Sequence, residues 1–525
     1  MSRKTDLLVR ILLATLSGFL LGMSFPDKGH FLFAWCALAP LLVALYGVTF
    51  RTGFFLSWLT GFLFFSTIYL WGWVFGGHVW FALSLWQGFY FGLWGGFAAW
   101  ALEDEPARPA RLFLPVLLFV FYEYGRSLGP LGINWGAIAY SQYEQVTLIQ
   151  VAGITGMYGI SFLVMLGNMV LAWLLITVMR AQKSPQGDRK TAERKKGLLS
   201  LALSFAALMT VTLAYGHLVI AGDSARKGIF PRVKVSIVQP SVDMLMKWDN
   251  RMLRWTLETL TALSAKAAQE GTSLVFWPET SVPTFIPNNT VAKEYLEHFT
   301  AWEKIYFAAG APQAAPDGRK LNTVFLFSPQ GKITAEYSKR HIVPFGEYLP
   351  FRKHLRKYSV FDRVQDFSSG DRWTLFPTPW GSFSVLICFE SDFPGIARVN
   401  VRNGATFLAV LTNDAWFERS SAAVHHLGWS VFRAVENHSN VVQAANTGVS
   451  AFIDPHGKIR KKSEIYTRVV LTDDLVITPA GTFYTRHGNV FLLIAALPAF
   501  ALALRRSRER QPSQAGKSKG GKEVS

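Results

Sequence analysis

Two patterns share this 525-residue chain. Uninterrupted apolar stretches recur at 6–24, 31–48, 53–75, 79–102, 111–126, 146–179 and 198–221, and one more follows at 487–504. A helix that crosses a bilayer needs about 17–25 such residues, so eight candidate spans result. The fifth is short and ends on Glu123 and Arg126, and the sixth is long enough to include an interfacial piece. The first is followed at once by a second apolar stretch with no small-residue cleavage site, unlike a removable leader. Between 222 and 485 the apolar runs shorten and alternate with amphipathic ones. "VKVSIVQP", "SLVFWPE", "IYFAAGAP", "FSVLICFE" and "TFLAVLTNDAWF" read as strands, and "NVVQAANTGVSAFIDPHGKI" continues the pattern. Residues 251–270 read as a helix with Leu253, Leu257, Leu260 and Leu263 on one face and Gly271 as its stop. Further helices are expected near 291–304, after Pro394 and through 425–438, and a hairpin turns at Pro329–Gly331. Strands alternating with helices predict an α/β domain with one sheet system and helices outside.

Half of the residues are hydrophobic, yet the net charge is +18. The basic residues cluster in "SRK" before the first span, in "RAQKSPQGDRKTAERKKG" between the sixth and seventh, and in "RRSRERQPSQAGKSKGGKEVS" after the last. Positive loops stay cytoplasmic. Both termini are therefore expected in the cytoplasm, with residues 222–485 on the opposite side. The expected division is a membrane domain at 1–221, an extracytoplasmic domain at 222–485, a final span at 486–504 and a basic tail at 505–525. Topology accounts for the charge, which removes nucleic-acid binding as a function. A transporter or receptor is disfavoured because the cores of most spans carry no ionisable group.

Candidate chemistry sits at strand ends, where α/β folds gather their sites. Glu279 follows "SLVFWP", Lys339 follows "ITAEYS" and Cys388 follows "FSVLI". Together they could form a general base, a cation for a developing oxyanion and a nucleophile, with the lysine also lowering the thiol pKa. Cys36, in "FAWCALAP" within a predicted span, is no partner for Cys388, and a lone thiol outside the cytoplasm is either reactive or an inert buried hydrophobe. His425 and His426 are neighbours, poor spacing for a metal, and are expected to be structural.

The residues around these three positions resemble a known family. "WPETSVP", "YSKRHIVPFGEYLPF" and "ICFESDFP" carry Glu279, Lys339 and Cys388 in the order of the nitrilase superfamily's triad. "NDAWF", "FRAVEN" and "NTGVSAFIDPHGKI" are similar to its later segments. "VPFGEYLPF" behind seven spans, with "YEYGRS", "AYSQ" and "GMYGISFLVMLGN" in the membrane part, resembles the apolipoprotein N-acyltransferases, membrane-embedded members of that superfamily. The resemblance implies a multi-span α-helical membrane domain plus an α/β nitrilase-like αββα sandwich facing the periplasm of a bacterial inner membrane. It implies acyl transfer from a phospholipid, typically phosphatidylethanolamine, through a Cys388 thioester to the α-amine of a diacylglyceryl-cysteine apolipoprotein. Glu279 is then the base, Lys339 the oxyanion partner, and Glu347, Glu390, Phe389 and Trp248 supporting residues. No metal or soluble cofactor and no nucleic acid is implied, and the chain is expected to act as a monomer. Three positions depart from the family pattern: Phe389 stands where Tyr is frequent, Gln443 where Arg is, and Pro240 where Gly is. The alternative is a membrane-anchored amidohydrolase with the same triad. Phe345, Tyr348, Phe351 and Trp416 are candidates for a lipid-facing mouth, and 345–380 for a lid.

Overall fold

A computed structural model describes residues 3–25, 29–104, 108–182, 189–224, 230–243, 247, 249–357, 364 and 366–510. All eight apolar stretches are helical, but not all are continuous. Arg3–Gly22, Met157–Ala181, Arg189–Ser224 and Val490–Arg510 contain the four segments long and apolar enough to cross a membrane by length and composition. Phe50–Ile68 and Gly77–Leu102 have the length as well, but glycine and aromatic residues dilute their hydropathy. Those glycines let the two helices touch: a Cβ on Gly95 would lie 1.7 Å from Ser57 Oγ. Close approach through small residues is how helices associate where lipid offers no hydrophobic drive.

The stretch 31–48 is a 3-10 turn, Phe31–Trp35, followed by a short helix, Ala39–Leu45. Pro40 sits in the first turn of that helix, where its missing N–H costs nothing, and it cannot continue the turn before it. The break leaves backbone groups open in an apolar setting, where each must find a partner inside the protein. Asn168 supplies them. Its Oδ1 accepts from Leu38 N at 2.7 Å and Ala39 N at 3.1 Å, while its Nδ2 donates to Ala34 O at 2.7 Å. The long stretch 146–179 also divides, into Val146–Ile149, Ala152–Thr155 and Met157–Ala181.

Beyond residue 230 there are twelve strands: β1 Arg232–Gln239, β2 Leu274–Phe276, β3 Tyr306–Ala314, β4 Lys320–Phe327, β5 Ile333–Ser338, β6 Phe376–Thr378, β7 Gly381–Ile387, β8 Phe407–Thr412, β9 Asn440–Ala445, β10 Ala451–Ile453, β11 Ile459–Lys462 and β12 Val469–Val476. They form two six-stranded sheets, ordered β12-β1-β2-β3-β4-β5 and β11-β10-β9-β8-β7-β6. The pattern reading of one sheet system is thus corrected to two sheets face to face. Alternate residues explain the layers. Val233, Val235, Ile237 and Phe276 meet Phe383, Val385, Ile387 and Leu411 between the sheets. The intervening residues of the first sheet, such as Val275, Trp277 and Phe307, pack on Leu257 and Leu260 of the Leu253–Gln269 helix and Leu296 of the Thr290–Glu303 helix.

The other outer layer joins the two halves of the molecule. Leu386, Leu408 and Val410 pack on Ala397 of the Pro394–Arg402 helix and on Leu427, Val431 and Ala434 of the Ala422–Asn437 helix. These share one apolar core with Trp135, Ala139, Tyr140 and the membrane helices. Within that seam the Arg126 guanidinium lies 4.8 Å from the Phe65 ring and donates to Asn134 O and Trp135 O, while Glu123 accepts from Ile138 N at 2.7 Å. Two charges at a span end therefore shape the loop that carries the sandwich.

Replacing Asn168 by Leu strips the side-chain partner from Leu38 N and Ala34 O, each worth on the order of 1–3 kcal/mol when left unpaired and buried, while Ala39 N keeps its bond to Cys36 O. Thermal unfolding in detergent is expected to show a clearly lowered midpoint for Asn168→Leu, with the break at Pro40 as the first region to lose protection.

Candidate active site

The three singled-out residues leave strand ends in both sheets and converge. Glu279 lies just past β2, Lys339 directly after β5 and Cys388 directly after β7. Lys339 Nζ contacts both oxygens of Glu347 at 2.9 Å and stands 3.6 Å from Glu279 Oε1. Glu279 also accepts from Asn322 Nδ2 at 2.7 Å and, across the sheets, from Asn413 N at 2.9 Å. With Lys339 only 1% and Glu279 only 6% exposed, each charge depends on these partners. Asn322 Nδ2 donates to Glu347 as well, and the Asn322 backbone carbonyl accepts from Lys339 N, so one residue spaces Glu279, Lys339 and the second carboxylate.

Cys388 has φ +53°, a left-handed conformation that costs a non-glycine residue about 1–3 kcal/mol. It puts the thiol at the tip of a sharp turn into the 3-10 segment Cys388–Asp392. Glu390 holds that turn. Its Oε2 accepts from Ile387 N at 2.8 Å, and its Oε1 accepts from Arg340 N at 2.7 Å, His341 N at 3.1 Å and Tyr337 Oη at 2.9 Å. Two residues on, Asp392 accepts from Asn134 N and Trp135 N at 2.8 and 3.1 Å, docking the turn onto the membrane part. His426 bonds Asp414 Oδ1 at 2.9 Å and the Cys388 carbonyl at 3.0 Å. Both partners accept, so both ring nitrogens donate. Although burial opposes it, Asp414 raises the His426 pKa. The histidine is structural, as expected, but it braces the nucleophile's own backbone. His425 accepts from Trp135 Nε1 at 2.9 Å across the seam.

Burial pushes the Cys388 thiol well above its ordinary pKa, Glu279 adds to this, and Lys339 pulls the other way. The expected lysine effect has the right sign, but desolvation outweighs it, and the resting group is a thiol. Lys339 itself is raised: burial works against its charge, but Glu347, Glu279 and Cys388 outweigh it. His341, stacked 3.9 Å from Phe393, is lowered to about 4 by burial and by Lys339. The site can hold a neutral nucleophile beside a base and a fixed cation, an arrangement suited to acyl transfer.

Sequence reasoning missed Lys247. Its ammonium is buried, donates to Glu279 O at 3.0 Å and is lowered to about 7, by burial against the pull of Glu279 and Cys388. The signal lay in the same "KWD" that drew attention to Trp248, which itself lies outside the described residues. Asn322, Asn413 and Tyr337 carried no signal. The Phe389 ring packs edge-on against Phe393 and Trp429. Gln443 accepts from Ser430 Oγ and donates to Val449 O inside the fold, so this departure fills a core position. Cys36 and Cys388 are both free. Phe345, Phe351 and Trp416 are 45%, 68% and 42% exposed, whereas Tyr348 is half-buried. Of the expected lid, residues 358–363 and 365 lie outside the described residues, and Phe367, Ser368 and Gly370 are tied by backbone bonds to Glu347, Lys320 and Lys339.

Two outcomes follow from this geometry. Glu390→Gln exchanges an acceptor oxygen for a donor amide against three N–H groups and a hydroxyl, and a nucleophile displaced by about 1 Å loses on the order of 100-fold in rate. Single-turnover acylation is expected to fall by at least that factor. Lys247, with a folded pKa near 7 against 10.5 when unfolded, binds fewer protons folded than unfolded between those values. Stability therefore rises with pH across that window and is lost as pH falls toward 7. Unfolding midpoints from pH 7 to 9 are expected to climb in the wild type relative to Lys247→Met.

Residues 234–476 match the carbon-nitrogen hydrolase family, and residues 17–170 match the apolipoprotein N-acyltransferase N-terminal domain. Over 512 residues the chain is 34% identical to the apolipoprotein N-acyltransferase of Geobacter metallireducens, covering 94% of this chain and 95% of that protein. Its identity to the apolipoprotein N-acyltransferase of Chlorobaculum tepidum is 29% over 546 residues, covering 94% and 96% of the two chains. The apolipoprotein N-acyltransferase of Thermotoga maritima is 28% identical over 515 residues, covering 94% and 93%. Likeness at this level, running from the membrane helices through the sandwich, means that the chain belongs to the apolipoprotein N-acyltransferase family.

Proposed function

We propose that this bacterial membrane enzyme moves an acyl chain from a phospholipid, with phosphatidylethanolamine as the donor, to the α-amine of a diacylglyceryl-cysteine apolipoprotein. The observation that carries the reading is the seam: the helices behind β7 and β8 share their apolar core with the membrane helices. A nucleophile fixed on that layer works where lipid substrates lie, and exposed Phe345, Phe351 and Trp416 suit a mouth at the interface. A soluble amide needs neither, and likeness to acyltransferases across 94% of the chain favours transfer over hydrolysis.

In this reading the chemistry runs in two steps. Glu279 takes the Cys388 proton as sulfur attacks the ester carbonyl, and the Lys339 ammonium faces the oxygen that becomes negative. Collapse returns the proton from Glu279 to the departing alkoxide, releasing a lysophospholipid and leaving a thioester. The neutral amine of the second substrate attacks the thioester, Glu279 accepts its proton, and Cys388 leaves as the thiol. Glu347 holds Lys339, and Glu390 and Phe389 shape the nucleophile's turn, with Trp248 as a further supporting residue. The basic loops support the reading that both termini lie in the cytoplasm and the sandwich in the periplasm; its boundaries are 1–221, 222–485, 486–504 and 505–525, with one chain as the working unit.

Mixing purified enzyme with phosphatidylethanolamine is expected to add one fatty-acyl mass, labile to hydroxylamine, absent in Cys388→Ala and discharged by a diacylated lipopeptide. Glu279→Gln should slow its formation by about 100- to 10,000-fold, the usual worth of a general base. An adduct that only water discharges would instead establish the hydrolase.

A further inference from the structure

Three side chains meet away from the active site, where the last long helix before the sandwich ends. Asp223 closes the Arg189–Ser224 helix, His438 follows the Ala422–Asn437 helix, and His456 lies in the turn between β10 and β11. His438 Nε2 is 2.8 Å and His456 Nε2 3.3 Å from the same oxygen, Asp223 Oδ2, and the three ligand atoms all lie within 4.8 Å of one another. Among the described residues no other such group of histidine, cysteine and carboxylate atoms occurs. Two imidazoles and one carboxylate are the donor set that zinc and its neighbours favour.

Two independent features point to a cation. The first is the orientation of His456. Gln150 Nε2 donates to Val146 O at 2.6 Å and to His456 O at 2.8 Å, which fixes its amide so that Oε1 faces His456 Nδ1 at 3.3 Å. Nδ1 therefore carries a hydrogen, and Nε2 is the nitrogen turned toward the Asp223 carboxylate, where a metal ion can take the place of a proton. A histidine whose second nitrogen is held by an amide carbonyl is also how metal-binding imidazoles are oriented. The second feature is the backbone. Two helices end here, and the C-terminus of each carries partial negative charge. Asp223 adds a formal negative charge at the wrong end of its own helix, so the point where the three converge favours a cation.

We propose that Asp223, His438 and His456 form a zinc-type divalent metal site, with solvent in the remaining position and Gln150 as its positioning residue. The ion fastens the end of the Arg189–Ser224 helix to the sandwich, beside the chain's passage into β1. It lies outside the catalytic machinery and acts as a tether.

The test uses full-length Cys36→Ala, Cys388→Ala protein in detergent, purified without a histidine tag and stripped with chelator, so that neither thiol nor tag takes the probe. Titration with Zn2+ against a chromophoric chelator is expected to show one site per chain, and Co2+ in its place to give visible d–d bands. His456→Gln, and His438→Asn, which keeps a residue tolerant of the left-handed backbone at φ 47°, should abolish both signals. Gln150→Leu should weaken Zn2+ by about 10- to 100-fold. Zn2+ should raise the unfolding midpoint of the parent protein and leave that of His456→Gln unmoved. Absence of stoichiometric binding, or binding that survives in both histidine variants, overturns the site. An equal loss of stability in His456→Gln with and without Zn2+ does so too, reducing the cluster to a hydrogen-bonded clamp.

Discussion

One buried carboxylate, Glu390, ties the two sheets together at the point where chemistry occurs. It has four donors and no cation among them: three backbone N–H groups and the Tyr337 hydroxyl. One comes from the last residue of β7 and three from the end of β5 and the residues after it. The nucleophile and the lysine leave different sheets, and sheets packed through side chains can slide. A single acceptor shared by both strand ends removes that freedom. It also explains how Cys388 persists at positive φ: the turn is closed by Glu390 on one side and by the His426–carbonyl bond on the other. Asp392 extends the same short turn to Asn134 and Trp135, so strain at the thiol, lysine placement and membrane docking are settled within five residues.

Charge balance is the second constraint. Glu279 and Glu347 face Lys339 in a place with almost no solvent, and Lys247 approaches from the backbone side of Glu279. Burial raises the thiol pKa, Glu279 adds to the rise and Lys339 opposes it. Lys247 sits near its own titration point and can respond when negative charge develops at Cys388. Buried lysines shift readily in this way, unlike arginine. Asparagines supply the remaining order because an amide can donate to carboxylates without altering the charge count.

What could be seen in the sequence follows the same physics. Glu279, Lys339 and Cys388 were legible because each follows a strand-like run with a reactive side chain. The helix over 253–269 and the hairpin of β4 and β5 were legible because period and turn residues agree. The division into two sheets was not, since strands buried on both faces show continuous apolar runs that do not say which neighbour each face meets. β12 escaped because Asp473 and Asp474 interrupt it, although it pairs with β1 along all eight residues. Asn168 and Asn322 gave no signal: one accepts and donates at once, the other donates to two carboxylates, and an isolated asparagine looks like any turn residue. Lys247 was hidden by the aromatic neighbour beside it.

A resting thiol of raised pKa suits an enzyme that must hold an acyl group between two lipid substrates. A permanent thiolate beside a membrane would react with any electrophile. In the proposed mechanism a buried thiol reacts only once an ester carbonyl is seated and Glu279 can accept its proton. The same desolvation protects the product, because water that reached the thioester would divert the chain to hydrolysis. The geometry that separates transferase from hydrolase therefore need not lie in the three reacting side chains. The layer beneath them, where Leu386, Leu408 and Trp429 continue the apolar core of the membrane helices, is what ties the turn of Cys388 to the membrane part.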